Sequence, residues 1–243
     1  MKMLVTRPEP DAEATIERLS ALGIEAIAAP LLTRAPIAFN LPNISGFAAM
    51  AVTSANALRA LEERSAFDQL RHLPVYAVGD RTALEARRLG FTEVHAAEGT
   101  LQSLSTMLAL AQINGPLFYP AGKHLSGNLA EILAPHGVMV VTTTVYDMVA
   151  ESEISEVALA ALSGGEVGAV LLYSRRTAQV FAELLGERLE MGIKRGLAAL
   201  CMSENVARPM IEQHFTRVHL ADRPDEEAMM ALALAFARDQ SGP

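Results

Sequence analysis

Ala51-Val52-Thr53-Ser54 decides how this chain is read: an apolar run meets two hydroxyl residues, and a helical pattern opens at once over 55–64. The same phrase recurs in Met3-Leu4-Val5-Thr6-Arg7, Val75-Tyr76-Ala77-Val78-Gly79, Leu117-Phe118-Tyr119-Pro120-Ala121-Gly122, Val170-Leu171-Leu172-Tyr173-Ser174 and Ala199-Leu200-Cys201-Met202-Ser203. Strand, polar turn, helix is the βα unit of a parallel sheet. Each turn leaves backbone N–H groups without partners at a helix start, and the helix dipole adds partial positive charge there. A set of such turns is a set of anion seats. The ligand to expect carries several carboxylates or phosphates.

Working outward, shorter strand candidates at 25–29, 94–97, 138–141 and 218–221 follow helical patterns. Those helices are expected over 11–22, 55–64, 81–89, 101–112, 125–135, 154–162, 177–185, 206–214 and 224–238. Gly23, Gly90 and Gly137 stand where left-handed caps end helices. Two stretches break the alternation. Pro30 to Pro36 follows a strand without becoming a helix. Thr142-Thr143-Thr144-Val145-Tyr146-Asp147 is rich in β-branched residues and stays extended. The economical reading is α/β: two doubly wound parallel-sheet domains joined by a two-stranded β linker. The first domain comes from both chain ends, 1–33 plus 150–243. The second is inserted over 38–142, with linkers at 34–37 and 143–149. A single (βα)₈ barrel suits the length, but the strands joined through helices are too few for it.

Composition narrows the function. The chain has 243 residues, of which 51% are hydrophobic, enough for a large core. No apolar run reaches the ~18 residues that span a bilayer. The N-terminus enters a strand directly, so no signal peptide is expected and a cytoplasmic location is. The formal net charge of −8 argues against nucleic acid, whose phosphates call for clustered Lys and Arg. The single cysteine, Cys201, lies in an apolar run and reads as a buried structural thiol. No Gly-x-Gly-x-x-Gly follows a strand, Gly122-Lys123 lacks the rest of a phosphate loop, and the histidines show no metal spacing. Neither cofactor nor metal is expected. No heptad seam is evident, so a monomer is the default.

The residues also carry a resemblance. Leu4-Val5-Thr6-Arg7-Pro8, Thr53-Ser54-Ala55-Asn56-Ala57, Ala77-Val78-Gly79 with Thr82 three residues on, and Thr144-Val145-Tyr146 resemble the uroporphyrinogen-III synthase family in order and spacing. The last third departs from the family pattern. Tyr173-Ser174-Arg175-Arg176-Thr177 and Ser203-Glu204-Asn205-Val206-Ala207 keep the small polar residues Ser174 and Ser203, while Val206 replaces a hydroxyl residue.

The resemblance implies a two-domain α/β fold with a β linker, and a cofactor-independent cyclising lyase. Its substrate is hydroxymethylbilane, a linear tetrapyrrole bearing eight carboxylates, supplied upstream by hydroxymethylbilane synthase. The product is uroporphyrinogen III, with ring D inverted and water lost, on the route to heme and related tetrapyrroles. The family's linker tyrosine aligns with Tyr146, which makes it the candidate acid at the leaving hydroxyl; packing of its ring is the other reading. Thr53, Ser54, Asn56, Gly79, Thr82 and Gly122 are candidate substrate contacts. Ser174, Arg175 and Ser203 are the candidates from the last third. Arg7 has two readings, a bidentate carboxylate clamp or a partner for Glu9 or Asp11. The rival functions are a non-catalytic binding protein for a polycarboxylate and a sugar- or phosphosugar-handling enzyme.

Overall fold

The structure is a computed structural model that describes residues 1–64, 67–185 and 191–240. In chain order, β1 (Lys2–Val5), α1 (Asp11–Ala21) and β2 (Ala26–Ala28) are followed by the extended β3 (Leu32–Pro36). Next come β4 (Ala49–Val52), α2 (Ala55–Glu63), β5 (Val75–Ala77), α3 (Asp80–Arg88), β6 (Val94–Ala96) and α4 (Leu101–Leu110). β7 (Leu117–Gly122), α5 (Leu129–Leu133) and the long β8 (Val140–Ala150) complete this stretch. The chain ends with α6 (Glu156–Ser163), β9 (Val167–Leu172), α7 (Arg175–Leu185), α8 (Met191–Gly196), β10 (Ala198–Cys201), α9 (Glu204–Glu212), β11 (Arg217–Leu220) and α10 (Glu226–Gln240).

The elements form two compact units, Met1–Thr33 with Val149–Pro243, and Arg34–Met148. The first unit holds a five-stranded sheet in the order β11-β10-β9-β1-β2, parallel throughout. The second holds a six-stranded sheet in the order β3-β8-β7-β4-β5-β6, and β8 through β6 run parallel. In both sheets the strand order reverses once, beside β1 in the first and beside β4 in the second. This α/β architecture is the one read from the repeated phrase.

Parallel strands covered on both faces are apolar at nearly every position. β4 and β10 are buried at all four residues. Alternate side chains take opposite faces. In the second sheet Met50, Val52 and Phe118 pack on α2 and α3, while Ala49, Ala51 and Leu117 pack on α4 and α5. In the first sheet Met3, Val5, Leu171 and Leu200 pack on α1 and α10 through Leu19, Met229 and Phe236.

Helix starts follow local chemistry. Thr100 and Ser103 form a reciprocal capping box on α4. Asn128 accepts from the amides of Ala130 and Glu131, which starts α5 later than the 125 expected from periodicity. Helix α8 was not expected at all. The expected strand at 138–141 and the extended stretch after it are one continuous 11-residue strand, β8. Its β-branched run from Val140 to Thr144 pairs with β7 instead of leaving the sheet. β3 lies beside β8 at the edge of the same sheet. No helix among the described residues is long and apolar enough to cross a membrane.

Candidate active site

In open α/β sheets, ligands bind outside the carboxyl ends of the strands where the strand order reverses. In the second unit that place lies between β4 and β7. Thr53 and Ser54 leave β4 there, and Gly122 closes β7. Ser54 is extended, and its Oγ accepts from Asn56 N at 3.2 Å, capping α2. Asn56 Oδ1 accepts from Arg59 Nη1 at 3.1 Å.

Tyr146 enters this crevice through an irregularity in pairing. Ala121 pairs with Thr144, but Gly122 pairs with Tyr146, so Val145 is an extra residue, a β-bulge. The bulge puts Val145 and Tyr146 into the same apolar cluster and swings the phenol across Gly122. A Cβ at residue 122 would stand 2.8 Å from Tyr146 Cζ and 2.9 Å from its hydroxyl, so only glycine fits without displacing the ring. Tyr146 is 8% exposed. Burial pushes its phenol above the ordinary value, against the opposing pull of a hydrogen bond with Ser54 and the charge of Arg34. Arg34 is itself paired with Glu63 through both carboxylate oxygens, and it holds that carboxyl below its ordinary value.

A second phenol reaches the same turn from the other face of the sheet. Tyr119, on β7, lies 2.9 Å from Thr53 Oγ1 through its hydroxyl. It is 2% exposed, and burial raises its titration point too. Beyond Gly122, Lys123 Nζ pairs with Asp147 Oδ2 at 3.1 Å, and His124 Nε2 lies 3.3 Å from Oδ1. Burial disfavours the Asp147 carboxylate, but Lys123 outweighs it and the carboxyl titrates below its usual range.

Gly79 and Thr82 sit at the next turn, β5 to α3. Gly79 is packed on backbone, since a Cβ there would lie 3.1 Å from Gly99 Cα. Thr82 is 5% exposed and faces inward. Both serve the packing of that turn.

In the first unit the reversal lies between β1 and β9. Thr6 Oγ1 donates to Leu171 O at 2.7 Å. Arg7 is 6% exposed and its fork is committed: Nη1 donates to Glu226 Oε2 at 2.5 Å and to Thr15 Oγ1 at 2.9 Å. Nη2 lies 4.0 Å from Asp11 Oδ2, and the guanidinium sits 4.0 Å over the Tyr173 ring. Tyr173 donates to Glu226 Oε1 at 3.0 Å, and burial followed by the Glu226 charge raises its phenol strongly. Of the two readings of Arg7, the internal pair is the geometry present, with Glu226 as the principal partner.

Ser174 Oγ accepts from Thr177 N at 3.1 Å and caps α7. Arg175 is exposed, with Nη1 3.4 Å from Asn205 Oδ1 on α9. Ser203 begins α9 without a side-chain cap, so its hydroxyl is not used on that helix. Cys201 is fully buried, and burial pushes its thiol up to about 12. Sequence reasoning missed Tyr119, Arg34 and the Lys123–Asp147 pair. For Tyr119 the signal was available, as the one phenol inside the apolar run 117–121.

Comparison with known proteins bears on the family and the fold. Residues 13–231 match the family described as Uroporphyrinogen-III synthase HemD. The uroporphyrinogen-III synthase of Chlorobaculum parvum (strain DSM 263 / NCIMB 8327) is 26% identical over 197 residues, 76% of this chain and 80% of that one. The crystal structure of uroporphyrinogen-III synthetase from Helicobacter pylori 26695 superposes with a TM-score of 0.65 at 19% identity, over 97% of this chain and 100% of the other. A mutant synthase from Thermus thermophilus gives 0.56 at 19% identity, over 100% of both chains. At such identities the structures speak for the fold, and the family match carries the assignment: this chain belongs to the uroporphyrinogen-III synthase family.

Proposed function

We propose that this chain closes hydroxymethylbilane into uroporphyrinogen III, with Tyr146 as the acid at the leaving hydroxyl. The observation that supports this most is the phenol carried by the bulge over Gly122, in the crevice where the strand order reverses. The electron-rich terminal pyrrole expels its own hydroxyl, which takes a proton and leaves as water. The phenol assists by donating a hydrogen bond without carrying charge. The azafulvene cation is then attacked through the substituted carbon of ring D to give a spiro intermediate, which opens to a second azafulvene with that ring turned. This closes at the ring's free carbon, and the proton lost there balances the one taken by the departing water. Without an enzyme the chain closes to the uninverted isomer. The protein's task is therefore to bind one transition state better than its rival.

Carboxylate anchoring supplies that orientation. Thr53, Ser54, Asn56 and the backbone at Gly79 and Gly122 are the proposed contacts in the second unit; Ser174, Arg175 and Ser203 are those in the first. Arg7 and Thr82 act through the fold. We place the chain directly after the enzyme that makes the bilane and assign it as a cytoplasmic monomer, which sedimentation of the purified protein checks in part.

The test is to incubate the protein with freshly made hydroxymethylbilane, oxidise the products and separate the isomers by chromatography. A dominant type III isomer is expected. Type I alone, at the spontaneous rate, overturns the reading and leaves a polycarboxylate-binding protein in its place.

A further inference from the structure

The geometry points to Tyr119 as a positioning residue for substrate capture: its phenol donates to Thr53 Oγ1 and so leaves the threonine's own O–H free to be given to a substrate carboxylate. This rests on the reading above that the turn between β4 and α2 binds carboxylate.

The two oxygens are 2.9 Å apart, and either can be the donor on distance alone. Burial decides between them. Tyr119 is 2% exposed, among Leu104, Leu108 and Leu129, and among the described residues Thr53 is its one hydrogen-bond partner. If Thr53 donated, the phenol proton would be left unpaired inside an apolar cluster, which is costly. Thr53 is only half-buried, so its proton can turn outward. A phenol is also the stronger donor of the two hydroxyls, and burial keeps it protonated. The result is a chain, phenol to threonine to ligand, in which each hydrogen bond polarises the next.

The position fits this part. Tyr119 and Tyr146 stand on neighbouring strands and opposite faces of the sheet, in the α4–α5 and α2–α3 clusters respectively. Both stand at the same turn: Tyr119 holds Thr53, and Tyr146 lies across Gly122. Tyr146 has a part at the leaving group. Tyr119 is sealed away from solvent and acts only through Thr53, hence on binding.

The experiment compares the parent protein, Tyr119→Phe, Thr53→Val and the double variant in steady-state assays with hydroxymethylbilane, each with a thermal melt. Tyr119→Phe is expected to raise KM roughly 3- to 10-fold, the size of one weakened hydrogen bond, with kcat held within about twofold. Thr53→Val is expected to raise KM at least as much, and Tyr119→Phe to add nothing in that background. Thr53→Ser keeps the relay and is expected to stay near the parent. A KM in Tyr119→Phe equal to the parent's, with a lowered melting temperature, makes the phenol a packing element and overturns the inference. A KM effect that persists in Thr53→Val overturns it too. A parent protein that forms only type I product overturns the reading of the reaction itself, and this inference with it.

Discussion

The two crevices where strand order reverses are built from the same phrase and have opposite contents. Between β1 and β9 the space holds Arg7, Tyr173 and Glu226, closed on one another by a 2.5 Å ion pair, a 3.0 Å hydrogen bond and a cation–π stack. Between β4 and β7 the polar groups at the turn are neutral hydroxyls and a glycine: Thr53, Ser54, Tyr146 and Gly122. The difference comes from one helix. In the first unit α10 returns with Glu226 at its first residue and neutralises the arginine. In the second unit the nearby charges are paired among themselves, Arg34 with Glu63 and Lys123 with Asp147, and the turn itself keeps its hydroxyls. A strand-turn-helix phrase thus makes an anion seat only when the chain does not later fill it. An overall charge of −8 makes this economy useful, because neutral hydroxyls and backbone N–H groups can meet an anion without adding formal charge.

The comparison is broken most forcefully at Tyr146. Tyr146→Phe should lower kcat by about 10²–10⁴-fold, the usual worth of a positioned acid. Its melting temperature should stay near the parent's, and a kcat unchanged at saturating substrate would remove the assignment. Next is Arg7→Ala, which takes a charged hydrogen-bond partner from Glu226 and Thr15 and should cost about 1.5–3 kcal/mol in denaturant unfolding. Replacing both partners with apolar residues, Arg7→Met with Glu226→Leu, should recover most of that loss, because an ion pair taken partly out of water is poor net stabilisation. If Arg7→Ala raised KM at intact stability, the two crevices would be alike after all.

Ser54→Ala is expected to cost about 1 kcal/mol as a lost cap. It should also raise KM, as should Ser174→Ala at the cap of α7, where the second bond to Thr177 makes the accompanying loss of stability larger. The smallest effect is in the pH profile. The phenol of Tyr146 donates only while protonated, and burial raises its titration above the ordinary 10.0, so the alkaline fall of kcat should lie above pH 10. A fall near neutral pH would point to a different acid.

The fold class was legible because its signal repeats: apolar runs ending in Thr, Ser or Gly before helical periodicity mark β1, β4, β5, β7, β9 and β10. Helix ends were legible where one residue type dominates, as at Gly23 and Gly90, both with positive φ. α5 was misjudged because Asn128 offers a cap inside what periodicity reads as helix. The site was legible only in part. Turn residues can be named from local sequence, but the role of Arg7 depends on Glu226, 219 positions away. The phenol of Tyr119 depends likewise on a partner 66 positions away, and no local pattern contains that distance.

The bulge at Val145 has a consequence for chain length. β8 holds one residue more than its ladder to β7 uses, since Thr144 and Tyr146 serve successive partners. That spare residue is slack. A chain shortened by one position between 140 and 144 can draw Val145 into the ladder and, at the loss of the bulge, keep Tyr146 in register with Gly122. A chain lengthened there by one has no such reserve and must push the phenol past its glycine. Tolerance to single-residue gaps in this strand is therefore one-sided, and turnover of paired deletion and insertion variants at the exposed Thr142 would reveal it.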